Sequence, residues 1–142
     1  VEVIERGETA IMLCHWTGIY FNGEQVGFRV FQEAVRRIHD RFQNIEWLKL
    51  SEIARYAAAR TLTGMEKQAR GARLKAPFAC PAFTLQLETN QVAQPFIQAG
   101  EKMFKPREVA NLSMLQPGRW MKQDNKLIIC FDLQKGENSI QW

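Results

Sequence analysis

The spacing of apolar residues predicts two helices and two strands in the first part of the chain. Within residues 9–15, the five residues 10–14 are apolar at both odd and even positions, which is typical of a strand covered on both faces. Residues 45–50 predict a second short strand. A helix is predicted for residues 25–42, with a second helix running from Ser51 to near Gly64. The apolar stripe of the first helix comprises Val26, Val30, Phe31, Ala34, Val35, Ile38 and Phe42.

From residue 76 onward the pattern changes to that of short strands. Apolar residues alternate with polar ones over residues 83–88, and further strands are predicted for residues 120–122, 127–133 and 139–142. Turn-forming residues separate these segments, and all five prolines follow residue 76. This pattern favours a small antiparallel β-sandwich.

The fold class predicted from these patterns is therefore α/β plus all-β. Residues 1–64 form a βαβα portion of a parallel sheet or (β/α) barrel, residues 65–75 a connector, and residues 76–142 an accessory β-sandwich module. Two strands cannot form a stable parallel sheet by themselves. We therefore expect the α/β part to be truncated, or to be completed by the β module or by another chain.

The formal net charge of +4 is modest. Residues 1–64 are balanced, so the basic excess lies in residues 65–142, where a short basic group at 102–107 is flanked by Glu101 and Glu108. This distribution favours a solvated basic surface and predicts no nucleic-acid partner, because it lacks a basic cluster with interleaved aromatic residues.

No apolar run reaches the ~18 residues that a membrane span needs, and no signal peptide is visible at the N-terminus. Because the chain begins with Val1 and not with Met, we expect a fragment or a processed chain, and no compartment is predicted. The three cysteines show no CxxC spacing, which argues against a disulfide framework or a metal knuckle. Cys14 and Cys130 lie in apolar runs and are predicted to be core residues.

His15 is the first candidate for chemistry, because it lies where a predicted strand ends. In α/β barrels the catalytic groups sit at the carboxyl ends of the strands, and a histidine there can act as a general acid or base. Trp16 and Tyr20 could offer flat faces to a sugar ring. The alternative is a structural, hydrogen-bonded histidine, which the pattern alone favours. His39 is predicted to be a surface residue and shares no metal-ligand spacing with His15.

The other candidates have structural explanations. Ser51 fits a helix cap, and no nucleophile elbow or phosphate loop is present. Asp132 is predicted to face solvent from a strand. Trp120, Phe131 and Trp142 are predicted to belong to the sandwich core and not to a carbohydrate-binding platform.

Residues 8–62 resemble the last part of the polysaccharide deacetylase (carbohydrate esterase) superfamily. Leu13-Cys14-His15 matches the family's Leu-x-His motif, and Leu50-Ser51-Glu52-Ile53 matches its late leucine-serine-glutamate helix start, with a helix between them. The resemblance implies a distorted (β/α) barrel that removes acetyl groups from N- or O-acetylated sugars. It also implies that His15 protonates the leaving group and that Leu13 lines the acetyl pocket.

The family also holds a divalent metal, usually zinc, with an aspartate and two histidines of an H-x3-5-H motif, and uses a second aspartate as base. This chain contains neither an Asp-Asp pair before the match nor that histidine motif. The resemblance therefore implies that the metal ligands and the base precede Val1. It predicts no cofactor for this chain, which alone is expected to be inactive. Trp16-Thr17-Gly18 also departs from the commonest form, in which an acidic residue follows the histidine.

Three interpretations follow. The first is the C-terminal part of a metal-dependent sugar deacetylase with an appended sandwich. The second is a non-catalytic carbohydrate-binding or structural module of a larger protein, and the third is an unrelated small domain that shares the two motifs. The predicted partners are a carbohydrate and either the missing N-terminal barrel segment or a second copy of the chain.

Overall fold

The computed structural model describes residues 1–21, 23–43, 45–89 and 93–142, with the backbone but not the side chain of Trp16. These residues have mixed secondary structure, with four α-helices and nine β-strands in two mainly antiparallel sheets. This confirms the predicted combination of helices with an antiparallel β module. The chain divides into two compact units, Val1–Leu50 and Ser51–Trp142.

The first unit contains three helices and no sheet among its described residues. They are α1 (Glu2–Glu5), α2 (Trp16–Ile19) and α3 (Val26–Arg41). The position of α3 confirms the helix predicted for residues 25–42. None of its residues is buried, and Val30, within the predicted apolar stripe, is 64% exposed. The apolar stripe of α3 therefore remains at least partly open to solvent.

The two strands predicted for residues 9–15 and 45–50 are not formed. In the described part of the first unit, the β pairing consists of one isolated bridge between Phe21 and Glu24. A strand is stable only when a neighbouring strand satisfies its backbone hydrogen bonds. No described segment pairs with either run, so residues 9–15 and 45–49 stay outside regular secondary structure although their composition favours strands, and Leu50 belongs to the following helix.

Close backbone approach joins α2 to α3. A Cβ atom added to Gly27 would lie only 1.8 Å from the carbonyl oxygen of Gly18, so a larger residue at position 27 would force the helices apart. The rings of Tyr20 and Phe28 stack beside this contact, with centroids 6.4 Å apart. The glycine at position 27 thus sets the packing distance between these two helices.

Exposed ion pairs run along the polar face of α3, and their effect depends on pH. Glu33 accepts hydrogen bonds from Arg36 (2.8 Å) and from Arg37 (2.8 Å), and these bonds lower the pKa of Glu33 to about 2. A carboxyl whose pKa is lower in the folded state stabilises that state above its unfolded pKa, and loses this effect as the pH falls through its folded pKa. We therefore expect helicity to decrease between about pH 4.5 and 2.

Far-ultraviolet circular dichroism during acid titration tests this expectation. The Glu33→Gln variant should lose much of the decrease in this range, whereas Glu24→Gln, at an exposed carboxyl preceding α3, should retain it. High salt should weaken the effect in the wild-type chain, because exposed charges are screened. An identical titration of wild type and Glu33→Gln would contradict the assignment.

The second unit begins with a helix and continues as two sheets. Helix α4 (Leu50–Leu62) starts one residue before the predicted Ser51 cap, and its Ala59 is buried in the core. The first sheet has the strand order β1-β2-β9-β4-β5 and the second β3-β8-β7-β6. The strands are β1 (Gly64–Gln68), β2 (Gly71–Ala76), β3 (Cys80–Glu88), β4 (Phe96–Ala99), β5 (Lys102–Phe104), β6 (Arg107–Glu108), β7 (Arg119–Gln123), β8 (Lys126–Leu133) and β9 (Gly136–Gln141).

All strand pairs are antiparallel except β6 with β7, and one turn of 3-10 helix (Leu112–Met114) precedes β7. Residues of both sheets pack into one apolar core. Its fully buried large side chains are Leu74, Ile97, Leu127, Ile129, Phe131, Leu133 and Ile140. No helix in the described part of the chain is long and apolar enough to cross a membrane.

Residues 65–75, for which we expected a connector, form most of the β1–β2 hairpin. In β2 the buried positions are Gly71, Ala72, Leu74 and Ala76, whereas Arg73 and Lys75 are exposed. This alternation of buried and basic residues is sufficient for a strand here, because every residue of β2 pairs with β9. The expectation failed because alanines carry a weak hydrophobic signal.

Two polar side chains fix local irregularities of the sheets. Asp132 is exposed, as predicted, and one of its carboxylate oxygens accepts a hydrogen bond from the backbone N–H of Ala82 (3.0 Å). Ala82 has a φ of +52° and lies where the pairing of β3 with β8 shifts register. Asn138 is 1% exposed and bonds to the backbone of Gln134 and Gly136, closing the turn between β8 and β9.

Candidate functional site

His15 lies immediately before α2, outside regular secondary structure. Its carbonyl oxygen accepts hydrogen bonds from the backbone N–H groups of Gly18 (3.0 Å) and Ile19 (3.2 Å), which makes it the starting point of that helix. Its side chain is exposed, and it has no hydrogen bond, ion pair or ring contact to any described residue. The imidazole is therefore accessible, and within the described residues no partner orients it.

The other predicted site residues lie along the same segment. Leu13 is 79% exposed, and Tyr20 is exposed while stacking on Phe28. Trp16 begins α2, and its side chain lies outside the described part of the structure. The structure therefore describes both Leu13 and Tyr20 at solvent-exposed positions of one segment.

Cys14 is exposed, so its prediction as a core residue was wrong. The prediction assumed that the run 9–15 is covered on both faces. Every residue of that run is exposed, and Ile11 is 67% exposed. Cys130, by contrast, is buried in β8, as predicted. Burial raises the pKa of the Cys130 thiol.

The described residues do not fit a metal site. No group of three or more His, Cys, Asp or Glu side chains converges among them. His39 lies exposed on α3, as predicted, and its Nε2 atom accepts a hydrogen bond from the Trp47 indole N–H (2.8 Å). The Nε2 atom of His39 therefore already has a hydrogen-bond partner, and His15 belongs to no group of three or more such side chains in the described part of the chain.

A polar cleft of about 760 Å³ lies at one end of the sandwich, far along the sequence from His15. Its walls come from the β1–β2 hairpin, the end of β3, the turn between β7 and β8, and the residue that follows β9. The lining residues that carry functional groups are Lys67, Glu88, Thr89, Asp124, Asn125, Lys126 and Trp142. Both sheets therefore contribute to this cleft.

The sequence analysis did not identify this cleft as a site. Its residues are separated by long stretches of chain, and no motif links them. The available signal was the predicted turn at residues 123–125, which carries Asp124 and Asn125, together with the polar end of the strand at Glu88. Trp120 and Phe131 are buried, as predicted for the core, whereas Trp142 is only half-buried.

Comparison with known proteins assigns no family to the chain. No family model, no curated protein and no solved structure matches the chain.

Proposed function

We propose that this chain is the C-terminal part of a metal-dependent hydrolase that resembles the polysaccharide deacetylases and removes acetyl groups from sugars. In this proposal residues 1–64 belong to a (β/α) barrel that further strands complete, and the β-sandwich is an accessory module. The histidine of Leu13-Cys14-His15 then serves as the general acid.

The order of the motifs supports the proposal. Leu13-Cys14-His15 precedes α3, and Leu50-Ser51-Glu52-Ile53 opens α4. In the resembled family these motifs mark two successive barrel strands with a helix between them. The position of α3 between the two motifs supports the proposal.

The observation that carries the proposal is the exposure of two apolar runs on either side of α3. Ile11 and Leu13 lie exposed before this helix, and Trp47, Leu48 and Leu50 lie exposed after it. Burying each such side chain would stabilise the protein by about 1.5–3 kcal/mol, so soluble chains rarely leave several together in water. Neighbouring strands of a barrel would bury both runs and pair their backbone groups.

The chemical role proposed for His15 requires only its imidazole. An imidazole exchanges protons near neutral pH, so its protonated form can donate a proton to the leaving amine or alkoxide as the bond to the acetyl carbon breaks. The side chain is accessible for such a transfer. Leu13, Trp16 and Tyr20 are proposed to contact the sugar or its acetyl group from the same segment.

The proposed divalent metal is not assigned to this chain. The described residues do not fit a metal site, because no three suitable side chains converge. The proposal therefore places the ligands, and the carboxylate that acts as base, on residues preceding Val1. No step of the reaction through the metal is derived from these residues.

The first experiment is to determine the coding sequence upstream of Val1. We expect it to encode an Asp-Asp pair followed by an H-x3-5-H motif. The longer protein should release acetate from N-acetylated or O-acetylated oligosaccharides when zinc is supplied. His15→Ala should lower the turnover number by about 10²–10⁴-fold, because a lost general acid typically costs that much.

His39→Gln is the matched control, because His39 is the other histidine and lies exposed on α3. It should leave the turnover number unchanged. A start codon directly before Val1, an upstream region without these motifs, or full activity of His15→Ala would each overturn the proposal.

The alternative function is a non-catalytic carbohydrate-binding module. One observation favours it: the half-buried indole of Trp142 lines a polar cleft at the end of the sandwich. Because the cleft lies entirely within the second unit, this function does not require His15.

A further inference from the structure

We propose that the end of the sandwich around Trp142 binds a neutral oligosaccharide. The proposal goes beyond the deacetylase function and stands independently of it, since none of the residues involved belongs to the first unit. It is carried by the cleft of about 760 Å³, by a second cleft beside it, and by the kinds of side chain that line them.

Trp142 is held in a defined position. Its indole N–H donates a hydrogen bond to the Thr89 hydroxyl (3.0 Å), its backbone N–H donates to the Arg70 carbonyl (3.3 Å), and its side chain packs against the core. An indole fixed at a cleft wall can stack against the flat apolar face of a sugar ring without losing conformational entropy. Binding therefore does not require the ring to be ordered first.

The backbone around the cleft is also fixed. The N–H of Thr89 donates to the Asn125 carbonyl (2.8 Å), which ties the end of β3 to the β7–β8 turn. The Lys67 ammonium donates to the Glu88 carbonyl (3.1 Å), which ties β1 to β3. The two sheets are thus linked at this end, and the cleft is largely preformed, as small-molecule sites usually are.

The charges in the cleft favour a neutral, hydroxyl-rich ligand. Two lysines, Lys67 and Lys126, and two acidic residues, Glu88 and Asp124, line the cleft, so their formal charges cancel. Among the described residues, neither carboxylate has a side-chain hydrogen bond or an ion pair. Sugar hydroxyls can donate to the carboxylates and accept from the ammonium groups, whereas the balanced charges of this cleft give an anionic ligand no net attraction.

The second cleft predicts a ligand longer than one sugar. It has a volume of about 530 Å³ and shares Ala69 and Trp142 with the first cleft, so the two adjoin at the indole. Its wall carries three amide side chains, which are uncharged donors and acceptors, and one charged side chain, that of Arg70. The amides are those of Gln68, Gln94 and Gln141. A chain of pyranose rings that passes Trp142 would contact both clefts.

Isothermal titration calorimetry on the 142-residue chain tests the proposal. The probes are hexamers of glucose, xylose and N-acetylglucosamine, which are neutral, and of galacturonic acid, which is anionic. We expect at least one neutral hexamer to bind about tenfold more tightly than the anionic one, which corresponds to about 1.4 kcal/mol. Absence of binding by all neutral hexamers at millimolar concentration, or a preference for the anionic hexamer, overturns the proposal.

Affinity measurements on variants test whether the oligosaccharide binds in these two clefts. Trp142→Ala should lower the affinity for the neutral hexamer about tenfold, and Glu88→Ala about threefold, through the loss of stacking and of hydrogen bonds respectively. Because Trp142 also packs against the core, Glu88→Ala keeps the test valid if Trp142→Ala does not fold. Glu101→Ala, an exposed carboxylate lining neither cleft, is the control and should bind as wild type. Unchanged affinity in Glu88→Ala overturns the assignment to this cleft.

The binding measurement involves no acetate release and does not use the segment around His15. An inactive longer protein would therefore leave this proposal standing. Equally, a sandwich that binds no sugar would leave the deacetylase proposal standing.

Discussion

Phe131→Ala should lower the free energy of unfolding of the second unit by about 3–5 kcal/mol, as removal of a buried Phe usually does. Phe131 lies on β8, is 0% exposed, and meets the ring of Phe83 edge to face with centroids 6.3 Å apart. Phe83 in turn contacts the Tyr56 ring of α4, with centroids 5.8 Å apart. Removing the ring therefore leaves a cavity where the strand pair β3–β8 and the helix meet.

Urea unfolding followed by tryptophan fluorescence measures this effect. The midpoint should fall by about 2 M, given a typical dependence on urea for a small domain. Phe131→Leu should cost clearly less, because leucine fills most of the same apolar volume. Lys122→Ala, at an exposed position of β7, should change the free energy by less than about 0.5 kcal/mol. A loss below 1 kcal/mol for Phe131→Ala would contradict the position of Phe131 in the core.

Asn138→Asp should destabilise the second unit by about 3–5 kcal/mol at neutral pH, the usual cost of an uncompensated buried charge. The Asn138 amide nitrogen donates hydrogen bonds to the carbonyl oxygens of Gln134 (2.9 Å) and Gly136 (3.1 Å). A carboxylate would place a negative oxygen against both carbonyls. The remaining bond, from the Gln134 N–H to the side-chain oxygen (3.0 Å), would survive but cannot offset two repulsive contacts.

The same urea titration at two pH values separates the effect of the introduced charge on stability from the effect of the changed side chain. At pH 4 the destabilisation should shrink, because the introduced carboxyl then binds a proton and can donate one hydrogen bond. Asn111→Asp is the control, since Asn111 is exposed and uses its side-chain oxygen to accept from the Ser113 hydroxyl. An equal loss of stability in both variants would show that the burial of Asn138 does not determine the effect.

Regular periodicity determined which elements could be predicted from the sequence. The helix α3 and the strand β3 were predicted because their apolar residues recur at the helical or the strand spacing over several turns or alternations. The β1–β2 hairpin was missed because every residue of β1 is exposed and three of the four buried residues of β2 are Gly or Ala, which carry a weak hydrophobic signal. The runs 9–15 and 45–50 carry strand composition, but a strand also requires a pairing neighbour, which sequence composition cannot supply.

The two candidate sites also differ in how far they could be predicted from the sequence. The segment of Leu13, His15 and Tyr20 could be selected from the sequence, because its residues are neighbours in the chain and match a motif. The sandwich cleft could not, because Lys67, Glu88 and Trp142 come together only after both sheets have formed. A site assembled from strand ends leaves no local pattern, whereas a site carried by one segment does.

The unequal burial of the three cysteines makes the chain selectively labelable. Cys80 and Cys130 are buried, and burial raises the pKa of both thiols, so neither readily forms the thiolate that attacks a maleimide. Cys14 is exposed and adjacent to His15. A fluorophore or spin label can therefore be attached beside the candidate general acid in the wild-type sequence, without introducing or removing a cysteine. Such a probe reports directly on whether this segment becomes covered when a candidate partner is added.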